Sequence, residues 1–338
     1  MQNREPVIQP VQTVQEMGTV FLQALQRADT MQAAEAVLAS EVVDIVPTHT
    51  VKIETAVKQL YKGQDYVEMI ETVDRSTFEP FKAAILCDGH GSNTVPQMIT
   101  RFAGQAVSAD SPCVELQKLV CEAHKLGSEQ SGSTAIYAKV YQDRVIIESA
   151  GDSTVIVAQW NEDEQEWEKV WQNESHKWSN LVERERLQER SPLLYAEAAY
   201  SLQVMSHDTI CQIPSTYVCV RGSMRKLAMT QAIGHDDIFG VVPSRVEIPF
   251  VQGRKYKIVG GSDGAFDMIR LENKDEMNTI YGLSASEIVD FAEAKWAQDW
   301  FPVHANNPEY RGFPIQRFDT PSKKDDVSCF VIDVVPTL

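Results

Sequence analysis

The chain has 338 residues, of which 43% are hydrophobic, so it can bury a large core as one big domain or two ordinary ones. Acidic residues outnumber basic ones by 48 to 31, and the formal net charge of −17 argues against general binding to nucleic acid or to anionic membrane surfaces. The six cysteines include no Cys-x-x-Cys pair, which favours a reducing compartment over a disulfide framework or a zinc site.

The amino-terminal part is predicted to be a helical extension of the main domain. Residues 1–12 lack periodic apolar positions, whereas apolar residues recur at helical spacing over 14–25 and again over 31–38. The opening residues lack the charged-then-apolar layout of a signal peptide, and no apolar run approaches the ~20 residues that a membrane helix needs. We therefore expect a cytoplasmic or nuclear protein with an extension, 1–50, followed by one domain, 51–338.

The first half of that domain has the pattern of short strands followed by helices. The stretch 51–72 predicts two short strands separated by a turn at Lys62–Gly63, and the apolar run 83–87 predicts a strand buried on both faces. Helical spacing follows over 94–106 and over 114–126.

The buried strand ends in a polar turn, Asp88–Gly89–His90–Gly91. A carboxylate and an imidazole held at the end of a rigid strand are suited to metal binding or to proton transfer. Asp-Gly is also a common tight-turn dipeptide, so this turn alone leaves a purely structural interpretation open.

The middle of the chain predicts a hairpin, because the strand 145–150 is followed by the turn Gly151–Asp152 and a second strand, 154–157. Alternating charges over 180–189 predict a solvated helix. Residues 190–221 are irregular and rich in turns, and both a mobile flap over a site and a plain surface excursion remain open. Tryptophans are expected to pack across strands near the charged segment, at positions Trp160, Trp167 and Trp171.

The last third of the chain again alternates between helices and strands. Residues 227–234 predict a helix that stops at a glycine, and 285–298 predict a helix with a capping box that starts at Ser284. Strands are predicted over 256–261 and over 327–334.

Aspartates stand next to many of these predicted strands. If the strand ends converge, like charges at that density cannot all stay ionised without a cation. Because neither thiolates nor a histidine cluster accompanies them, the hard cations Mg²⁺ and Mn²⁺ are the natural occupants. Periodicity does not show whether the strand ends converge. The aspartates are Asp65, Asp88, Asp152, Asp263, Asp267, and Asp325 or Asp326.

The order and composition of these segments resemble the type 2C (PPM) family of metal-dependent protein serine/threonine phosphatases. The resemblance runs in order from about Lys62 to the carboxyl terminus, and it includes the family's Asp-Gly-His-Gly, Gly-Asp-Ser and Ser-Asp-Gly-x-x-Asp motifs. The segments that carry it are Asp88–Gly91, Ser131–Ala135, Gly151–Ser153, His176–Lys177, Leu227–Gly234, Ser262–Asp267 and Asp325–Ser328.

The resemblance implies an α+β fold in four layers, α/β/β/α, in which two antiparallel sheets pack face to face with helices outside. It implies hydrolysis of phosphoserine and phosphothreonine in proteins by a water activated between two Mg²⁺ or Mn²⁺ ions, without a covalent intermediate. The implied partner is a phosphoprotein substrate. The oligomeric state is left open.

The resemblance also implies roles for individual residues in metal binding. Asp88 would bridge both ions, and Gly89 would contribute its carbonyl oxygen. Asp263 and Asp325 would complete the ligands of one ion, and Asp65 would hold the other through water.

Further roles concern a third ion and the leaving group. Asp152 and Asp267 would help to bind a third, weaker ion. His90, as an imidazolium, is the candidate general acid that protonates the leaving serine or threonine oxygen. The register at the end of the chain favours Asp325 over Asp326 as the ligand, because the serine that follows then takes the family's threonine position.

Some positions depart from the family pattern. Leu60 stands where an arginine commonly grips the substrate phosphate, and Lys62 is the candidate replacement, as a point charge and not a bidentate fork. Gln64 replaces a common glutamate, and His235 replaces a usual aspartate and is assigned a structural role. An inactive protein that binds partners through the same fold is therefore the alternative function. The enzyme is preferred because a scaffold has no physical reason to keep so many mutually repelling carboxylates.

Overall fold

The computed structural model divides the chain into two units, Met1–Pro47 and Thr48–Leu338. All described residues lie in the second unit, so the predicted helices at 14–25 and 31–38 lie outside them. The described residues are 49–60, 62–123, 131–198, 202–206, 209–212, 216–221, 226–235, 238–304, 315–318, 320 and 324–337.

Two five-stranded antiparallel sheets form the centre of this unit. The first sheet has the strand order β1 (His49–Lys58), β19 (Val327–Pro336), β16 (Tyr256–Gly261), β8 (Thr154–Asn161) and β9 (Glu166–Gln172). The second sheet has the order β15 (Ser244–Pro249), β7 (Arg144–Ala150), β6 (Ala135–Val140), β3 (Pro80–Cys87) and β2 (Tyr66–Val73).

The described residues also contain six helices. None of these is long and apolar enough to cross a membrane. They are α1 (Thr94–Ala106), α2 (Pro112–Ala123), α3 (Leu181–Arg190), α4 (Asp263–Phe266), α5 (Lys274–Gly282) and α6 (Ala285–Trp296).

Alternate residues of the central strands enter different hydrophobic clusters, as the period of a strand requires. In β3, Ala83, Ile85 and Cys87 pack with residues of α1 and α2. Ala84 and Leu86 point the other way and pack against strands of the first sheet. The apolar run of β3 is therefore buried on both faces, as its sequence predicts.

Strand β19 shows the same alternation in the first sheet. Cys329 and Val331 pack with α5 and α6, whereas Phe330 and Ile332 lie in the cluster between the sheets. The layers thus follow the order helices, sheet, sheet, helices, which confirms the predicted four-layer α+β fold. Full burial of one such aliphatic side chain contributes about 1.5–3 kcal/mol, so the cluster between the sheets is a main source of stability.

The remaining strands form smaller sheets outside the two central ones. Most of the described residues in 190–221 form strands. The prediction of an irregular segment is therefore wrong for these residues. The small sheets are β4 (Gly89–Gly91) with β5 (Ser131–Ser133); β10 (Leu194–Ala198) with β13 (Thr216–Val220) and β14 (Lys226–Leu227); and β12 (Thr209–Gln212), β11 (Leu202–Ser206), β17 (Asp299–His304) and β18 (Gln316–Arg317).

The predicted hairpin over 145–157 is wrong. Its strands have the expected positions, but β7 and β8 belong to different sheets. The chain passes from one sheet to the other at Gly151, whose φ of +107° lies in the region that favours glycine. A short turn between two apolar strands does not reveal which strands pair, because each strand finds its partners elsewhere in the chain.

The predicted helix over 227–234 is also wrong. In its place, backbone bonds to distant segments hold an extended chain: the Ser133 and Ile233 peptide groups exchange bonds of 3.1 and 2.8 Å, and the Thr230 N–H donates to the His176 carbonyl at 2.7 Å. Tertiary pairing thus overrides the helical propensity of the segment.

Other local predictions are confirmed. The Asn180 side chain caps α3 by accepting from the Val182 N–H at 3.0 Å, and Ser284 forms the predicted capping box at the start of α6. Trp160 and Trp167 are cross-strand partners in β8 and β9, with ring centroids 5.4 Å apart.

Candidate metal centre and active site

The candidate metal ligands lie at the ends of strands of the two central sheets. Asp65 directly precedes β2, and Asp88 directly follows β3. Asp152 lies in the turn between β7 and β8. Asp263 begins α4 just after β16, and Asp325 lies two residues before β19.

Electrostatic contacts show that the structure brings these aspartates together. The carboxylates of Asp88 and Asp263 lie close enough for each to shift the pKa of the other. Burial raises the pKa of Asp88 well above its usual range, and the negative charges of Asp263 and Asp65 raise it further. The strand ends of both sheets therefore converge, which periodicity alone does not show.

The neighbouring carboxylates respond in the same way. Burial, with Asp263 and Asp326 adding to it, raises the pKa of Asp65 to about 7. The pKa values of Asp263 and Asp325 are also raised, first by burial and then by nearby carboxylates. The ionised forms of these groups destabilise one another, as like charges do in a site of low dielectric.

Two carboxylate oxygens of this group lack partners. Oδ2 of Asp65 and Oδ1 of Asp263 are buried and accept no hydrogen bond from the residues that the structure describes. A buried acceptor without a partner costs about 1–3 kcal/mol. Hard carboxylate oxygens are the ligands that Mg²⁺ and Mn²⁺ prefer, so the donor set fits these ions.

Lys62 supplies positive charge to the group. Its Nζ lies 2.7 Å from Oδ1 and 2.8 Å from Oδ2 of Asp325. Burial lowers the pKa of Lys62, but the negative charge of Asp325 outweighs burial and leaves that pKa raised. Lys62 is therefore a cation in contact with a candidate metal ligand.

The separation of these carboxylates is wider than in a closed metal site. Within the described ranges, the three acidic residues whose oxygens all lie within 4.8 Å of one another are on and beside β9, namely the exposed Glu164 and Glu168 and the half-buried Glu166. No three of the described aspartates at the strand ends bring their oxygens this close together.

Asp326, which the sequence offers as the alternative to Asp325, binds backbone groups in the structure. Its Oδ1 accepts the Leu60 N–H at 2.6 Å, and its Oδ2 accepts the Gln64 N–H at 2.9 Å. Both oxygens thus hold the loop that carries Lys62. Asp326 is committed to backbone groups, whereas the carboxylate of Asp325 contacts a side chain that can move.

The backbone of Asp88 is held by Thr134, the residue directly before β6. The Asp88 N–H donates to Thr134 Oγ1 at 3.0 Å, and the Thr134 N–H donates to the Asp88 carbonyl at 2.8 Å. At the next residue, a Cβ on Gly89 would lie 2.6 Å from the Gln64 carbonyl oxygen, so only glycine fits there. Asp88 is therefore held by a rigid frame.

Asp152 and Asp267 lie on the other side of Asp263. Burial, followed by the negative charge of Asp263, raises the pKa of Asp267 well above its usual range. Lys177 Nζ lies 3.7 Å from Oδ2 of Asp152. The three aspartates and Lys177 line a cavity of about 590 Å³, which is large enough for a small ligand.

His90 lies in β4 and pairs with His235. Their Nε2 atoms are 3.0 Å apart, and their rings are stacked with centroids 5.2 Å apart. A Cβ on Gly132 would lie 2.5 Å from His90 Nε2 and 2.6 Å from His235 Nε2, so glycine makes room for the pair. The sequence predicts a structural role for His235 and does not reveal its contact with His90, although the replacement of the usual aspartate marks the position as unusual.

The protonation of His90 differs from the expected imidazolium. Burial, followed by the effects of His235 and Lys62, lowers the pKa of His90 to about 3. The ring of His90 is therefore a neutral imidazole at neutral pH in these surroundings.

The family model described as protein phosphatase 2C matches residues 96–270. No curated protein sequence matches the chain.

Solved structures resemble the chain at low sequence identity. The serine-threonine phosphatase 2C from Toxoplasma gondii is 12% identical, with a TM-score of 0.51 over 85% of this chain and 95% of that chain. A C. elegans sex determining protein is 16% identical, with a TM-score of 0.49 over 94% of this chain and 73% of that one. The S. agalactiae serine/threonine phosphatase is 16% identical, with a TM-score of 0.46 over 84% and 99%. The likeness to the Toxoplasma gondii structure supports the fold alone.

Proposed function

The chain belongs to the protein phosphatase 2C family, and from this premise we propose that it hydrolyses phosphoserine and phosphothreonine in proteins with Mg²⁺ or Mn²⁺ as cofactor. The observation that carries the proposal is the group of buried aspartates at converging strand ends, two of whose oxygens lack partners. Without a cation, the mutual repulsion of such a group lowers the stability of the folded state. The group also supplies the ligands that these cations prefer.

The metal ligands are proposed to be the residues inferred from the sequence. Asp88 would bridge two ions and Gly89 would offer its carbonyl, while Asp65, Asp263 and Asp325 would complete the two sets of ligands. When bound, the ions would acidify a water molecule enough for it to attack phosphorus near neutral pH.

A third ion is proposed on the other side of Asp263. Asp152 and Asp267 would hold it, because both line the cavity next to Asp263. Lys177 lies 3.7 Å from Asp152 and balances part of their charge.

Lys62 and His90 are proposed to act on the substrate. Lys62 would contact the phosphate in place of the arginine that is absent at Leu60, through a single ammonium group. His90 would deliver a proton to the leaving oxygen. A bound phosphate dianion raises the pKa of a nearby imidazole, so His90 would gain its proton in the substrate complex.

The domain boundaries are part of the proposal. Residues 51–338 would form the catalytic domain, and residues 1–50 would form an extension of it. The alternative function, a catalytically inactive partner-binding protein, is favoured by Leu60 and by the engagement of Lys62 with Asp325.

Substitution of the aspartates tests the proposed function. Asp88→Asn and Asp263→Asn should each lower Mn²⁺-dependent hydrolysis of a phosphopeptide by at least about 10³-fold, since metal ions supply several kcal/mol of transition-state stabilisation. Glu164→Gln, at an exposed position outside the site, is the matched control and should keep wild-type activity. Unchanged turnover in both aspartate variants would refute the proposal. A wild-type protein that binds Mn²⁺ stoichiometrically but hydrolyses no member of a broad phosphopeptide panel would establish the alternative.

A further inference from the structure

The ion pair between Lys62 and Asp325 places a lysine on a candidate metal ligand. The ammonium contacts both carboxylate oxygens, at 2.7 and 2.8 Å. The contact spans most of the chain, because Lys62 lies between β1 and β2, whereas Asp325 lies just before β19. Neighbouring residues therefore do not dictate it.

The described residues Leu60 and Gln64, near Lys62 in the chain, are held independently of this ion pair. Asp326 accepts the backbone N–H groups of Leu60 and Gln64, on either side of the lysine. Gln64 Nε2 in turn donates to the Gly91 carbonyl at 2.9 Å and to Asn93 Oδ1 at 2.7 Å. The lysine backbone is thus held, while its four-carbon side chain retains freedom to move.

The ammonium of Lys62 can move from Asp325 to a second position. The Lys62 side chain is 44% exposed, so one side of it faces solvent. Its charge also acts on Asp263 and Asp88, so it lies close to the rest of the acidic group. A partly exposed pair of this kind is worth about 0–1 kcal/mol, which is weak enough to be displaced.

A divalent cation that uses Asp325 needs the same oxygens that the ammonium occupies. Two cations at one carboxylate repel each other, so the divalent ion and Lys62 compete for Asp325. The displaced ammonium would remain beside the site, because its backbone is fixed. It would then be available to an anion bound there.

We propose that Lys62 is a displaceable internal cation, which competes with the divalent metal for Asp325 and, once displaced, binds the substrate phosphate. This inference rests on the proposed function and gives Lys62 two alternating partners in it. It predicts that metal and phosphate bind cooperatively, because the metal releases the group that the phosphate uses.

Calorimetric titration of the full chain with Mn²⁺ tests the competition. Lys62→Met should tighten Mn²⁺ binding roughly fivefold, which is the upper range for a partly exposed pair. Lys62→Arg keeps the cation and should leave the Mn²⁺ affinity close to that of the wild type. Circular dichroism melts of each variant establish that it is folded.

Lys324→Met is the matched control for the loss of charge. Lys324 is the immediate neighbour of Asp325, but its Nζ lies 3.6 Å from Glu293 instead. Removing its charge should change the Mn²⁺ affinity less than twofold. An equal gain in both methionine variants would show a general field effect and would overturn the inference.

Inorganic phosphate is the probe for the second half of the proposal. The Mn²⁺-loaded Lys62→Met protein should bind phosphate about tenfold more weakly than the loaded wild type, as expected for the loss of one charge-assisted hydrogen bond. Unchanged or weaker Mn²⁺ binding in Lys62→Met, or unchanged phosphate binding, would overturn the inference and leave the proposed function standing. Absence of Mn²⁺ binding to the wild type would overturn both.

Discussion

Strand β2 has a buried aspartate beyond each end, and the two carboxylates behave in opposite ways. Asp65 precedes the strand and is 7% exposed, and Asp74 follows it and is 6% exposed. Burial raises the pKa of Asp65 to about 7. Burial also opposes ionisation of Asp74, but hydrogen bonds from Ser76 outweigh it and hold the pKa below its usual range.

The difference lies in the partners of each carboxylate. Oδ1 of Asp74 accepts from the Ser76 N–H at 2.8 Å and from Ser76 Oγ at 2.6 Å. Its Oδ2 accepts from Lys139 Nζ at 3.4 Å and from Tyr141 Oη at 3.2 Å. Oδ2 of Asp65, by contrast, has no hydrogen-bond partner in the described part of the chain.

Burial alone therefore does not mark a functional carboxylate. Asp74 is ionised inside the protein because neighbouring residues stabilise its charge. The charges that act on Asp65 are those of other carboxylates, and they disfavour its ionised form. The contrast also separates fold from function: the structure depends on the charge of Asp74, and it tolerates the charge of Asp65.

The largest expected effect is a loss of stability when Asp74 is substituted. Asp74→Asn should lower the free energy of unfolding by about 3 kcal/mol, because it removes the ion-pair partner of the buried Lys139 ammonium. Urea unfolding at pH 7.5 measures this loss. The control in the same strand is Glu71→Gln, which breaks an exposed pair with Lys82 and should cost about 0–1 kcal/mol. A loss below about 1 kcal/mol for Asp74→Asn would remove the contrast.

Substitution of Asp65 is expected to change the free energy of unfolding in the opposite direction. In the presence of a chelator at pH 7.5, Asp65→Asn should raise the free energy of unfolding by about 1 kcal/mol, because it removes a charge that burial and like neighbours disfavour. With Mn²⁺ present the order should reverse, since the variant binds the ion less well. Urea unfolding with and without Mn²⁺ measures both changes. If Asp65→Asn is destabilised in chelator as Asp74→Asn is, the two carboxylates do not differ in the way inferred here.

Local sequence patterns predicted the parts of the site that depend on neighbouring residues. The apolar run of β3 predicted a doubly buried strand, and the turn after it correctly placed Asp88 and His90 at the strand end. The family motifs then added an expected role for each aspartate. These inferences need only short segments, in which periodicity and turn chemistry dominate.

Contacts between distant segments could not be predicted in the same way. The pairs Lys62–Asp325 and His90–His235 join residues that are 263 and 145 positions apart. The wrongly predicted hairpin at Gly151 fails for the same reason, because the pairing of β7 and β8 is decided by strands elsewhere. Sheet topology and side-chain partners follow from packing of the whole domain, and a single sequence does not encode them in any local pattern.

The smallest expected effect is a pH dependence that separates the same two carboxylates. The pKa of Asp65 in the folded protein, about 7, lies above the value near 3.9 expected for an unfolded chain, so the folded state binds the extra proton. The stability that this proton gives is present at low pH and is lost as the pH rises through about 7. Asp74 has the opposite sign, because its lowered pKa gives stability above the unfolded value that is lost as the pH falls. In chelator, the advantage of Asp65→Asn over the wild type should therefore grow by about 0.7 kcal/mol between pH 6.5 and pH 7.5, as measured by urea unfolding at both values. An advantage that stays constant over this range would mean that a neighbouring aspartate, and not Asp65, takes up the proton.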